Sequence, residues 1–101
     1  MNIPLKSYIL TNESEVDLNK IYDYTQANYS SIKAIEYLKS FEELFLLLLQ
    51  NPLLGRLRKE LYLDVYSIRH REYIVYYKIS FEELLIIRTI HQKRDPIRFM
   101  E

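Results

Sequence analysis

The stretch Arg71-Glu72-Tyr73-Ile74-Val75-Tyr76-Tyr77-Lys78-Ile79 constrains the fold more than any other part of the chain. It is rich in β-branched and aromatic residues and it alternates, which is the signature of a central strand. Tyr73, Val75, Tyr77 and Ile79 share one face; Ile74, Tyr76 and Lys78 share the other. Two further strand-like segments, Asp64 to His70 and Leu84 to His91, flank it, so the last third of the chain reads as a three-stranded antiparallel meander. The N-terminal part is expected to add one strand and two helices. Those helices cover a single face of the sheet, and the opposite face is left for a partner.

The N-terminal elements follow from local signals. Leu5 to Thr11 reads as an edge strand, opened by Pro4 where a missing N–H is tolerated. Asn12 with Glu15 three residues on forms a capping-box pattern, which predicts a helix from about Glu13 to Asn28. Leu18, Ile21, Tyr22 and Tyr24 form its apolar side, and Glu15, Asp17, Asn19, Lys20 and Asp23 its outer side. Ser30 or Ser31 can cap a second helix running to about Gln50. There Ala34, Tyr37, Leu38, Phe41, Leu44, Phe45 and Leu48 make a wide apolar stripe. The short link between the helices allows only an antiparallel hairpin.

Asn51-Pro52 ends the second helix, because the residue before proline is driven from helical angles. Gly55 reads as a positive-φ turn. Arg56, Arg58, Lys59 and Glu60 read as an exposed charged lead into the meander. Turns are expected near Arg69–Glu72 and Ser80–Glu83, and the tail after Asp95-Pro96 reads as short and irregular. The whole is an α+β arrangement.

Composition removes several function classes. A chain of 101 residues is one domain, spanning 1–101, able to bury roughly two thirds of its unfolded surface. Cysteine is absent, so disulfides and thiolate metal sites are excluded, and a reducing cytoplasm is the simplest compartment. The apolar run Leu44 to Leu49 is far short of the roughly 20 residues that span a bilayer, and the N-terminus lacks the apolar core of a signal peptide. No membrane association is expected. The single glycine, Gly55, rules out a glycine-rich phosphate loop, and no cofactor or small-molecule substrate is expected.

Fourteen basic residues balance fourteen acidic ones. The first half is mildly acidic and the second mildly basic. A protein that grips nucleic acid by its phosphates carries a stronger positive excess than this.

Two histidines are the candidates for acid–base chemistry near neutrality. His70 reads as a solvated turn residue and His91 as a strand-end histidine bonded to backbone. Neither has the neighbours of a metal site. Arg69, Arg71, Arg88, Lys93 and Arg94 form a second group, suited to acidic or phosphate partners through charge-assisted bonds. Arg88 interrupts an apolar strand, so it must face solvent or find a partner. Lys20 and Lys33 read as ordinary surface charges. Tyrosine is abundant, ten in all; Tyr73 and Tyr77 suit the core, whereas Tyr76 is the candidate for the open face.

Taken together, several short motifs resemble the ParE branch of the RelE/ParE toxins of bacterial toxin–antitoxin modules. They are Asp17-Leu18 with Ile21 and Tyr24, then Ala34 and Tyr37, then Asn51-Pro52-Leu53-Leu54-Gly55-Arg56 with Arg58 and Glu60-Leu61. Tyr73-Ile74-Val75-Tyr76-Tyr77 and Ile87-Arg88-Thr89-Ile90-His91 with Arg94-Asp95 complete the set. The resemblance covers nearly the whole chain. It implies a β-α-α-β-β-β fold, an antiparallel-rich sheet with the first strand beside the last and a helix hairpin on one face.

The resemblance implies one of two mechanisms. ParE-like toxins bind DNA gyrase and inhibit growth without catalysis of their own, are neutralised by a cognate ParD-like antitoxin, and serve plasmid stabilisation. RelE-like toxins are ribosome-dependent mRNA endonucleases, which need a base, a cation for the phosphorane and an acid. RelE-like nucleases place basic residues on the open face of the first meander strand and an arginine after the central-strand tyrosine. Here those positions read Ser67, Arg69 and Ile74, and isoleucine cannot stabilise a phosphorane. The expectation is a ParE-like gyrase inhibitor with Arg69, Tyr76, Arg88, Lys93 and Arg94 as target-binding residues. The alternative is a nuclease using Arg69, His91 and Arg94; a member that only binds an antitoxin ranks third.

Overall fold

The computed structural model describes residues 4–62, 64–94 and 96. The alternating stretch becomes the middle of a mixed sheet. In chain order the elements are β1 (Ser7–Leu10), α1 (Asn12–Asn28), α2 (Ser31–Gln50), β2 (Arg56–Leu57), β3 (Tyr66–His70), β4 (Tyr73–Ser80) and β5 (Glu83–His91). The strands are ordered β1-β5-β4-β3-β2. β1 runs parallel to β5 and the remaining pairs are antiparallel. The expected order is met, with one addition: Arg56 and Leu57 form a two-residue strand on β3 rather than a free charged lead. The expected irregular tail after Asp95-Pro96 lies outside the described residues, apart from Pro96 itself.

Both helices pack on the face carrying Val75 and Tyr77. Phe41, Phe45 and Leu48 of α2 meet Val75 and Tyr77 of β4 and Leu84 and Ile86 of β5 in one cluster, with Ile21 of α1 at its margin. Full burial of each such side chain contributes on the order of 1.5–3 kcal/mol. The apolar stripe of α2 is the one its spacing predicts.

α1 departs from expectation. It is rotated so that Ser14, Asp17, Ile21 and Thr25 face inward, while Tyr24 stays 62% exposed. Its start also lies one residue earlier. Thr11, not Asn12, is the N-cap, because Thr11 already sits on the sheet: its N–H donates to Ile86 O (3.1 Å) and its hydroxyl to Ile87 O (2.8 Å). The same hydroxyl oxygen accepts from Ser14 N at 3.1 Å. One side chain therefore ends the strand ladder and opens the helix.

A bulge sets the side-chain directions along β5. Tyr76 pairs with Arg88 but Tyr77 pairs with Ile86, leaving Ile87 as the extra residue. Without it, alternation from Leu84 and Ile86 would carry Arg88 and Ile90 to the helix face. With it, Thr89 and His91 lie opposite Val75 and Tyr73 on the helix side, and Ile90 lies opposite Ile74.

The face away from the helices is not bare, contrary to expectation. Val65, Tyr76 and Ile90 form a second buried cluster there, with Leu61, Ile74 and Ile87 packed on it. Tyr76 is only 2% exposed. The segment before β3 folds back over the sheet through Arg58 N to Val65 O (2.7 Å) and Leu61 N to Arg58 O (3.0 Å), and this brings Leu61 and Val65 over the ring.

Both hairpins of the meander close on two residues, Arg71-Glu72 and Phe81-Glu82. Their first central residues have φ of 54°, where a residue with a Cβ pays roughly 1–2 kcal/mol. The glycine, by contrast, has no positive φ. Gly55 is needed for close approach: a Cβ there would lie 2.5 Å from the Tyr77 hydroxyl and 2.8 Å from Ser67 O. Tyr77, buried in the core, donates to Pro52 O and accepts from Gly55 N, both at 2.9 Å. It thereby bolts the loop after α2 to the central strand.

Gly55→Ala is expected to lower stability by about 1–3 kcal/mol through overpacking, measured by urea denaturation. A change within 0.5 kcal/mol would show that the loop does not sit on Tyr77 in this way.

Candidate functional site

β1 ends at Leu10, so among the described residues the second half of β5 has no strand on its outer edge. α1 fills that place with a carboxylate. Asp17 Oδ2 accepts from Thr89 N at 2.9 Å, doing what a neighbouring strand's carbonyl would do. Arg88 completes the arrangement with a two-pronged pair, Nε to Oδ2 at 2.8 Å and Nη2 to Oδ1 at 2.9 Å. Side-chain exposure is 16% for Arg88 and 10% for Asp17. The bonds to Asp17 hold the guanidinium above its usual range. Asp17 thus belongs to the interior, whereas spacing alone places it on the outer side of α1.

Beside this pair, two adjoining clefts open where the helix hairpin turns and β5 ends. The larger, about 700 Å³, is lined by Tyr24, Thr25, Tyr29, Lys33, Tyr37, Arg71, Glu72, Tyr73 and His91. The smaller, about 340 Å³, runs past Asp17, Lys20, Arg88 and Arg94 and shares Tyr24, Tyr73 and His91 with the first. Both include Tyr73 from the helix side of the sheet, not the side on which a partner was expected. Lys20 and Lys33, read from sequence as ordinary surface charges, are part of their walls.

The larger cleft is aromatic and cationic. The Arg71 guanidinium lies 4.9 Å from the Tyr37 ring centre, a cation–π contact. The Tyr37 hydroxyl is buried and lacks a hydrogen bond of good geometry, although the Glu72 amide faces it. Burial first, then the Glu72 carboxylate, pushes this phenol up to about 12, so it remains a donor at neutral pH. Tyr73 is raised for the same reasons in the same order. Its ring stands edge-on to His91, with centres 5.4 Å apart.

The histidines differ in their surroundings. His70 is not solvated: it packs on Phe41, with ring centres 4.5 Å apart, and shares a 2.8 Å hydrogen bond with Ser40. The Ser40 hydroxyl also reaches Tyr37 O. Burial, then Arg71, lowers the His70 pKa. His91 is bonded to backbone as expected: its Nδ1 accepts from Lys93 N at 3.2 Å.

The expected site residues separate into groups. His91 and Arg94 share the smaller cleft, with Arg88 in its wall. Arg69 is exposed on β3, its Nε donating to Arg71 O at 2.8 Å, and lines neither cleft. Lys93 is exposed just past β5, and Tyr76 is enclosed in the second cluster. Among the described residues no group of three His, Cys, Asp or Glu is placed to hold a metal ion, and no helix is long and apolar enough to cross a membrane. Tyr24, Tyr29, Lys33 and Tyr37 come together only through the helix hairpin. The one sequence signal for their grouping is their spacing on either side of the hairpin's turn.

Asp17→Asn keeps an acceptor for Thr89 but removes the negative charge paired with Arg88, and a loss of about 1–3 kcal/mol is expected, because both groups keep some exposure. Asp17→Ala should cost more. Urea denaturation checks this, and a loss under 1 kcal/mol for both would reduce the pair to an ordinary surface contact.

Comparison with known proteins follows this geometry. No curated protein matches the sequence. Among solved structures, one described as the chromosomal ParDE TA system from P. aeruginosa superimposes with a TM-score of 0.73 at 20% identity, covering 86% of this chain and 96% of the other. That likeness supports the fold. The family model for the ParE toxin of the type II toxin–antitoxin system, parDE, matches residues 8–96. This span runs from β1 to beyond β5 and takes in Asp17, Arg88 and both clefts, so the chain belongs to the ParE toxin family of type II toxin–antitoxin systems.

Proposed function

We propose that this ParE-family toxin inhibits DNA gyrase by binding it, acts in the cytoplasm to arrest growth, and is neutralised by a cognate ParD-like antitoxin. The family match over residues 8–96 carries the reading. A role in plasmid stabilisation is part of the same proposal. Two features of the chain support binding over RNA cleavage. Ile74 follows Tyr73 and packs against the second cluster, so the central strand offers no cation at that point. Arg69 lies outside the cleft that holds His91 and Arg94, and phosphodiester cleavage needs these groups within reach of one reacting centre.

Arg69, Lys93 and Arg94 are the proposed contacts with the target, since all three are exposed near one end of the meander. Arg88 and Tyr76 then act from within, Arg88 by holding the end of β5 against α1 and Tyr76 by filling the second cluster. The antitoxin is proposed to cover apolar surface. Leu46 and Leu47 late in α2 and Leu53 and Leu54 just after it are each about half exposed, more apolar area than scattered surface residues explain.

The test uses one purified preparation in two assays. Loss of gyrase supercoiling without cuts in ribosome-programmed mRNA is expected, and alanine at Arg69, Lys93 and Arg94 together should weaken inhibition at least tenfold with an unchanged melting temperature. Cuts in mRNA without loss of supercoiling would replace this reading with the nuclease one.

A further inference from the structure

We propose that the larger cleft binds a guanine nucleotide, its base stacked against Tyr24 and Tyr29, its Watson–Crick edge on the Glu72 carboxylate and its phosphate held by Lys33 and Arg71. The nucleotide is bound and not converted, and the inference holds whether gyrase or the ribosome is the target.

Three observations lead to it. The first is the supply of open rings. Tyr24 and Tyr29 are 62% and 74% exposed and line a cleft of about 700 Å³, within the size range of small-molecule sites. A nucleobase of any kind can lay its π-face on such a ring. Stacking needs no glycine-rich phosphate loop, so the lack of one does not bear on this site.

The second is a pair of cations beside one ring. Lys33 and Tyr37 are four residues apart on one side of α2, and the Arg71 guanidinium lies 4.9 Å from the Tyr37 ring centre. Lys33 has only a loose, exposed 3.8 Å contact with Glu36, which a ligand anion can replace at little cost. Among the described residues Arg71 has no ion pair. A guanidinium fork beside an ammonium suits a phosphate.

The third is Glu72, exposed in the same wall and paired with neither cation among the described residues. A cleft built for a phosphate alone would be weakened by a carboxylate, but a nucleotide gives it a use at the base. Guanine carries two donors side by side, N1–H and the N2 amino group, and the two carboxylate oxygens can accept both. Adenine and cytosine each set an acceptor next to their amino group, which turns a lone pair toward a carboxylate oxygen. The base that fits this wall is therefore guanine.

The same features weigh against a nucleic acid strand. Glu72 would repel successive phosphates, and the chain's zero net charge gives none of the long-range attraction that backbone binding relies on. A single nucleotide needs only the local cations.

The experiment is isothermal titration calorimetry on the full chain with GMP, AMP, guanosine, inorganic phosphate and dodecathymidylate. GMP should bind about tenfold or more tightly than each of the others, the preference over AMP being that of one bidentate base contact. Lys33→Ala should erase the advantage of GMP over guanosine, Glu72→Gln the advantage of GMP over AMP, and Tyr29→Ala should weaken GMP and AMP alike. Lys59→Glu on a remote exposed segment is the control and should bind as the parent does, and unchanged melting temperatures confirm folding. Absence of saturable GMP binding, equal binding of GMP and AMP, or GMP binding unaffected by both Lys33→Ala and Glu72→Gln would overturn the proposal. Inorganic phosphate binding as tightly as GMP would overturn it in favour of a simple anion site, and tighter binding of dodecathymidylate in favour of a nucleic-acid site.

Discussion

A single carboxylate joins the two layers of this protein. The sheet's outermost strand, β1, stops halfway along β5, and a strand edge left that way would have to give its N–H to water or to another chain. Asp17 accepts that hydrogen bond from Thr89 and uses its remaining lone pairs to bind Arg88. The helix hairpin is attached to β5 at this point by directed bonds, and elsewhere mainly by apolar contact. Because the attachment needs Thr89 and Arg88 at set positions on the edge, it also depends on the bulge at Ile87 that puts them there.

The opposite end is held differently. Tyr77 reaches from the core through the sheet margin to the loop after α2, accepting from Gly55 and donating to Pro52, with Tyr66 stacked on its ring at 5.5 Å. One end of the molecule is thus fixed by charge and the other by a phenol. Apolar leucines surround the phenol end, whereas cations and exposed tyrosines surround the charged end. This polarity gives the protein two chemically distinct surfaces. A positive-φ turn residue stands at each end: Arg71 at the cationic one and Phe81, 98% exposed with the same φ of 54°, at the other.

What could be read from sequence was what repeats locally. The alternation of Tyr73 to Ile79, the stripe from Ala34 to Leu48 and the proline stop at Asn51-Pro52 each report a period or a steric rule, and the element order follows from them; the family is legible only as a resemblance of short motifs. What escaped were contacts between distant residues. Asp17 looks solvent-facing on a helical wheel because its partner is 71 residues away and its orientation is decided by a bulge in another strand. Tyr76 was placed on the correct face but its covering could not be seen, since the segment holding Leu61 and Val65 begins with Arg56, Arg58, Lys59 and Glu60 and reads as solvated. Gly55 suggested a turn; its reason is a hydroxyl on residue 77. The aromatic cleft was missed because Tyr37 was assigned wholly to the core and Lys33 to the surface, and both are true of parts of those side chains.

The account rests on the claim that Asp17 stands in for a missing strand, and the Thr89 amide reports on it directly. Native-state hydrogen exchange followed by NMR should find Thr89 protected to the same degree as Val75 and Tyr77 in the middle of the sheet, although among the described residues no strand lies beyond it. Exchange of Thr89 at the rate of a frayed edge, orders of magnitude faster than those two amides, would mean that the carboxylate does not close the sheet.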